Sequence, residues 1–252
     1  MLFLLHGQLA GSCVPVEWGA NVARYAAAGF EVIAPDLSGF GETDNPRDAG
    51  GYQISQRIEH VRAFINHFNP SRYSIWGSSM GTYIGCAIAL EDPRVDKLII
   101  NPSSILPPPM LDPKGPSAVP LRESVAAMIK DNPPSMESAR LVLNRVMRNP
   151  TAITDELVRL FYENWKGKGE VAEDGRRAVG RPPPLFQELH RLKNPALLLW
   201  GADEALPERA LLLQRCFPRS ELYVLPGCAH WPQIDQADRS FDIVTHFLWR
   251  AA

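Results

Sequence analysis

The chain has 252 residues, 45% of them apolar and 21% charged, with a formal net charge of −2. That balance excludes a disordered chain, an acidic tail and a basic nucleic-acid-binding surface, while the length suits one α/β domain with a sizeable core. No run approaches the ~18 uninterrupted apolar residues of a membrane span, and "MLFLLHG" has neither the basic start nor the apolar length of a signal peptide.

In chain order, "LFLL" (2–5) and "EVIAPD" (31–36) read as short buried strands. Ile54, Ile58, Val61, Ile65 and Phe68 recur at spacings of four and three, one apolar helix face. "YSIW" (73–76) is a third strand. Met80, Tyr83, Ile84, Ala87 and Ile88 form a second helical stripe, and "DKLIIN" (96–101) a fourth strand. "ALLLW" (196–200) and "ELYVL" (221–225) are the last strands, and Phe241, Val244 and Leu248 mark a final helix. Strands alternating with helices imply a parallel sheet with helices on both faces. Residues 103 to 192 break the alternation: they carry helix-like stretches, proline clusters at 107–109, 133–134 and 182–184, and no convincing strand. Residues 1–102 and 193–252 are therefore expected to form the core domain, with 103–192 a mainly helical cap over the strand ends. Thr154 before Asp155 and Glu156 reads as an N-cap. The four cysteines, Cys13, Cys86, Cys216 and Cys228, follow no zinc or C-x-x-C spacing and read as free thiols in a cytoplasmic protein.

The chemistry concentrates in "GSSMG" (77–81), which follows a strand and opens a helix. A sharp strand-to-helix turn strains its apex residue and lifts that side chain clear of the sheet, which selects Ser79 over Ser78. A serine hydroxyl needs a base. His60 and His67 lie on the polar side of a helix, His246 on the last helix and His190 near the end of the cap; His6 reads as a residue that shapes its turn. His230, in the loop "LPGCAHWPQ" after the last strand, can reach the C-terminal edge of the sheet, where ligands gather in such folds. A carboxylate must hold its tautomer, and after "ALLLW" both Asp203 and Glu204 qualify; the preceding strand ends at Asn101, so no carboxylate competes there. Backbone N–H groups of Gln8, after "HG", and of Met80 are placed to receive a developing oxyanion.

With "LLHG", "VIAPDLSGFGETD", "GSSMG", "LLLWGADEALP" and "CAHWPQ" in this order, the chain resembles the α/β-hydrolase superfamily outside the cap. Trp231 after the histidine, and "ITDELVRLFYENW" in the cap, are similar to the carbon–carbon hydrolases that cut ring-opened (meta-cleavage) products of aromatic degradation. The resemblance implies an α/β-hydrolase fold, a mainly parallel sheet with a helical cap insertion, and Ser79, His230 and Asp203 as the triad. It implies a small, mainly apolar carbonyl substrate met by Trp231, Phe161, Arg159 and Ser78, with no metal or other cofactor. Counting back from Pro207 selects Asp203; counting forward from Trp200 selects Glu204; Asp203 is adopted. "HGQLAG" stands for the family's "HGGGPG", Ser78 for its asparagine, and Phe161 where its cap carries an arginine for the substrate carboxylate, with Arg159 nearby. A less acidic substrate follows. The two antiparallel strands usual before "HG" do not precede it here: either the enzyme is naturally short, which leaves a sheet edge to cover and makes a homodimer an expectation, or the start site is misassigned. A carboxylesterase or lactonase is the alternative activity, and a non-catalytic small-molecule receptor the alternative of another class.

Overall fold

Alternation along the strands decides the layers. In β1 (Leu2–Leu5), Leu2 and Leu4 pack with one apolar cluster, and Phe3 and Leu5 with another, as period two requires of a strand buried on both faces. The computed structural model describes residues 1–103, 132–169, 183–204 and 208–250. Six strands form one sheet: β1, β2 (Val32–Ile33), β3 (Tyr73–Gly77), β4 (Val95–Ile100), β5 (Ala196–Gly201) and β6 (Ser220–Leu225). Their order is β2-β1-β3-β4-β5-β6, and every pairing is parallel. The strand expected over 31–36 enters the ladder only at Val32 and Ile33.

Helices cover both faces. Val61 and Ile65 of α3 (Ile54–Phe68), Ile84 and Ile88 of α4 (Met80–Ala89) and Leu213 of α7 (Glu208–Gln214) pack with Ile75, Leu98 and Trp200. On the opposite face Tyr25 of α2 (Gly19–Ala27) and Val244 and Phe247 of α9 (Ala237–Trp249) pack with Trp76, Ile99 and Leu199. The apolar stripe expected on α3 ends early: Phe68 is exposed, while Arg57 is buried, its guanidinium over the Phe40 and Tyr52 rings and against Met80 Sδ at 2.8 Å. At the start of β4, Lys97 reaches across to the end of α9. Its ammonium donates to the carbonyls of Phe247 (3.0 Å), Leu248 (2.9 Å) and Arg250, groups that a helix C-terminus otherwise leaves unsatisfied.

Between β4 and β5 lie α5 (Met136–Val146) and α6 (Asp155–Asn164). Thr154 caps α6 as expected, its hydroxyl accepting from the Leu157 N–H at 3.1 Å. Val142 and Val146 of α5, Val158 and Phe161 of α6, and Trp165 share an apolar cluster with Ala10 and Val16 after β1 and Trp231 after β6. The insertion thus packs on the loops at the C-terminal ends of the strands. Its stretches 104–131 and 170–182, with the proline clusters at 107–109 and 182, lie outside the described residues, as does Pro207.

Candidate active site

Because all six strands run the same way, the loops after β1, β3, β5 and β6 leave the sheet at one rim. Ser79 stands at the tip of the β3–α4 turn with φ 52° and ψ −110°. A left-handed φ at a non-glycine residue costs about 1–3 kcal/mol and persists only where its surroundings enforce it. Here Ser79 N–H donates to Pro102 O at 3.2 Å and Ser103 Oγ donates to Ser79 O at 2.7 Å. Gly81 passes directly under β1: a Cβ there would lie 2.1 Å from Leu5 O, so only glycine lets α4 start so close to the strand. Ser79 is half-buried, whereas Ser78 is fully enclosed and its hydroxyl finds no partner among the described residues. Ser79 is thus the serine with access to the rim, and Ser78 presents no open surface to a substrate.

His230 N–H donates to Val146 O at 2.9 Å, which ties its loop to α5. Its Nδ1 lies 2.9 Å from Glu204 Oε2, both side chains being more than nine-tenths buried. This corrects the choice of Asp203. The Asp203 N–H is held by Cys228 O at 2.9 Å, and the residue is exposed. Glu204, one position later and one methylene longer, reaches the imidazole instead. Burial disfavours the charged imidazolium of His230, but the Glu204 carboxylate outweighs it, Glu17 adds to that and Arg145 subtracts. The net shift is upward from 6.5. Among the described residues Ser79 Oγ and His230 Nε2 make no direct hydrogen bond, and contacts of this kind are often long before substrate binds.

On the β1 side, His6 is a structural group. Leu37 N–H donates to its Nε2 at 2.9 Å, which leaves the proton on Nδ1, and Nδ1–H donates to Gly7 O at 2.8 Å. Burial lowers its pKa, so the neutral tautomer is held. The N–H groups of Gln8 and Met80 make no hydrogen bond among the described residues. Two carboxylates that sequence reasoning passed over organise this rim. Asp235, buried in α8 (Pro232–Asp235), accepts from the N–H groups of Ala229 (2.8 Å), Arg148 (2.8 Å) and Asn149 (2.9 Å), joining the histidine loop to the insertion. Glu17, buried at the end of α1 (Val14–Glu17), accepts from Gly7 N–H and Ser12 Oγ. Neither sits in a recognisable motif; each was legible only as an acidic residue near a loop.

Phe161 and Trp231 are wholly buried in the cluster between insertion and rim. Arg159 is not there. It is half exposed and pairs with Glu163 one turn on, Nη1 to Oε1 at 2.9 Å, because the helical period that turns Val158 and Phe161 inward leaves Arg159 and Glu163 on the solvent face of α6. Among the described residues no group of His, Cys, Asp and Glu side chains is arranged to hold a metal, and no helix is long and apolar enough to cross a membrane.

Comparison with known proteins gives the family and the fold. The family model described as "Alpha/beta hydrolase family" matches residues 2–243. A 2-hydroxy-6-oxononadienedioate/2-hydroxy-6-oxononatrienedioate hydrolase of Burkholderia vietnamiensis is 29% identical over 257 residues, covering 99% of this chain and 87% of the relative. A 2-hydroxymuconate semialdehyde hydrolase of Pseudomonas putida is 28% identical, covering 98% and 86%. Among solved structures, a meta-cleavage product hydrolase from Pseudomonas fluorescens superposes with a TM-score of 0.81 at 24% identity, covering 98% of this chain and 89% of that one. An enol-lactonase from Burkholderia xenovorans superposes at 0.77 and 17% identity, covering 99% and 91%. The chain belongs to the alpha/beta hydrolase family, and it is a hydrolase built on that fold.

Proposed function

We propose that the protein is a cytoplasmic serine hydrolase that cleaves a carbon–carbon bond in a small, mainly apolar enol-ketone of the meta-cleavage product type. The observation that carries the chemistry is Ser79, held at a strained φ of 52° on the rim where His230 is paired with Glu204. The bond type leans on the relatives' activities and on Trp231 and Phe161, which line the seam between rim and insertion. In this reading α5 and α6 act as a cap. The substrate is first ketonised. His230 then takes the Ser79 proton as Oγ attacks the carbonyl, and the N–H groups of Gln8 and Met80 hold the oxyanion. Collapse breaks the carbon–carbon bond, and the carbon leaving group takes the proton from the imidazolium. Water, deprotonated by His230, then releases the acyl group as an acid and returns the proton to Ser79. Glu204 keeps the imidazole in the tautomer with the proton on Nδ1.

A second reading, ester or lactone hydrolysis, is favoured by Arg159 facing solvent with Phe161 at the inward position, since that face of α6 then offers no cation to a substrate carboxylate. Turnover of a chromogenic dienone acid beside a short aryl ester separates the two; activity on the ester alone removes the carbon–carbon assignment. Ser79→Ala is expected to abolish turnover and fluorophosphonate labelling while the protein stays folded, and Ser78→Ala to lose far less. A wild-type protein that the probe does not label would instead be a receptor.

A further inference from the structure

We propose that Glu17 is a positioning residue of this reaction: its carboxylate clamps the loop that carries the Gln8 N–H. The proposal rests on the serine-hydrolase reading. Glu17 has no exposed surface. Gly7 N–H points between its two oxygens, 3.0 Å from each, and Ser12 Oγ donates to Oε1 at 2.6 Å. The carboxylate therefore holds both ends of the turn 7–12, whose next N–H is that of Gln8. The clamp lies close to the nucleophile: a single carbon added to Gly7 would sit 3.1 Å from Ser79 Cβ and 3.2 Å from Glu17 Oε1.

The backbone carbonyl of the same residue meets the segment that follows His230. Gln233, three positions after His230, donates its Nε2–H to Glu17 O at 3.4 Å. Gln233 Oε1 accepts from Asn101 Nδ2 at 2.6 Å, and Asn101 Oδ1 accepts from Trp76 Nε1 at 2.9 Å. This buried chain registers the oxyanion loop, the ends of β3 and β4, and the histidine loop against one another. A buried polar network is worth its desolvation only when its members are satisfied, so these amides have little freedom to drift. The charged groups that act on His230 are Glu204 after β5, Glu17 on α1 and Arg145 on α5; Asp235, on its own loop, is occupied by Ala229 and the insertion.

The test reads the second-order rate of Ser79 labelling by a fluorophosphonate against pH, in wild type, Glu17→Gln and Glu17→Asp, with thermal melts of each. Labelling needs neutral His230, so the wild-type rate should rise through a limb above pH 6.5. Glu17→Gln keeps an acceptor for Gly7 but removes the charge. Its limb should move to lower pH, and its plateau should fall roughly 10-fold as the oxyanion loop loosens. Glu17→Asp keeps the charge but shortens the clamp, so its limb should stay while its plateau falls. Variants that melt with wild type and show its limb and plateau overturn the proposal. So does loss of cooperative folding in both, which would make Glu17 a purely structural residue. Wild type that is never labelled sinks the hydrolase reading itself.

Discussion

Ser79 and Ser78 show how much one residue's position decides. Both are serines between glycines, yet the turn gives only Ser79 the left-handed φ and the access to the rim. Glu204 and Asp203 differ in the same way. A one-residue shift in the loop moves one carboxylate into the protein and leaves the other in water. Glu204→Gln should therefore lower kcat by roughly 10³-fold or more, since an amide favours the wrong imidazole tautomer. Asp203→Asn should leave kcat within about threefold, as a surface residue away from the contact. Steady-state kinetics on either candidate substrate decides it, and the reverse order would return the triad to Asp203. The apex serine was legible in the sequence because glycines and a strand-to-helix boundary define it locally. The carboxylate beside His230 was not, because two adjacent carboxylates differ only in where a distant imidazole lies.

Among the elements, the strands were legible because each is a short apolar run buried on both faces. β3, β5 and β6 lie within one residue of their expected bounds, and β4 is displaced by one. β2 pairs over two residues, since pairing depends on how far its neighbour extends. Helix faces were less legible where a charged side chain is buried. Arg57 takes an inward place on α3 by stacking on aromatic rings, and no periodicity rule anticipates that. Lys97 is a similar case on β4. Burial lowers its pKa, yet its ammonium finishes the end of α9. Lys97→Met should cost about 1–3 kcal/mol through the carbonyls left without a donor, seen as a lower urea midpoint. Fluorophosphonate labelling should be unchanged in native buffer, because Lys97 lies toward the end of the sheet opposite the rim. An unaltered midpoint would mean that water replaces the ammonium without loss.

At the scale of the whole molecule, one rim collects what four strands deliver, and the insertion rests on it through Trp231, Phe161 and Asp235. The two outermost strands are β2 and β6, and Tyr223 and Val224 of β6 are partly exposed. Edge strands invite pairing unless covered, so we propose a homodimer. Light scattering should find twice the 28.0 kDa of the chain; a 28.0 kDa particle at working concentration removes the proposal. Read alone, the chain decides the order and kind of its elements, the apex serine and the histidine loop, because periodicity, glycine spacing and turn chemistry are local. Only the folded molecule decides that Glu204 serves His230, that Arg159 faces water, and that Glu17 and Asp235 brace the rim. Those outcomes hang on separations between residues from four to more than two hundred positions apart, set by packing rather than by immediate neighbours in sequence.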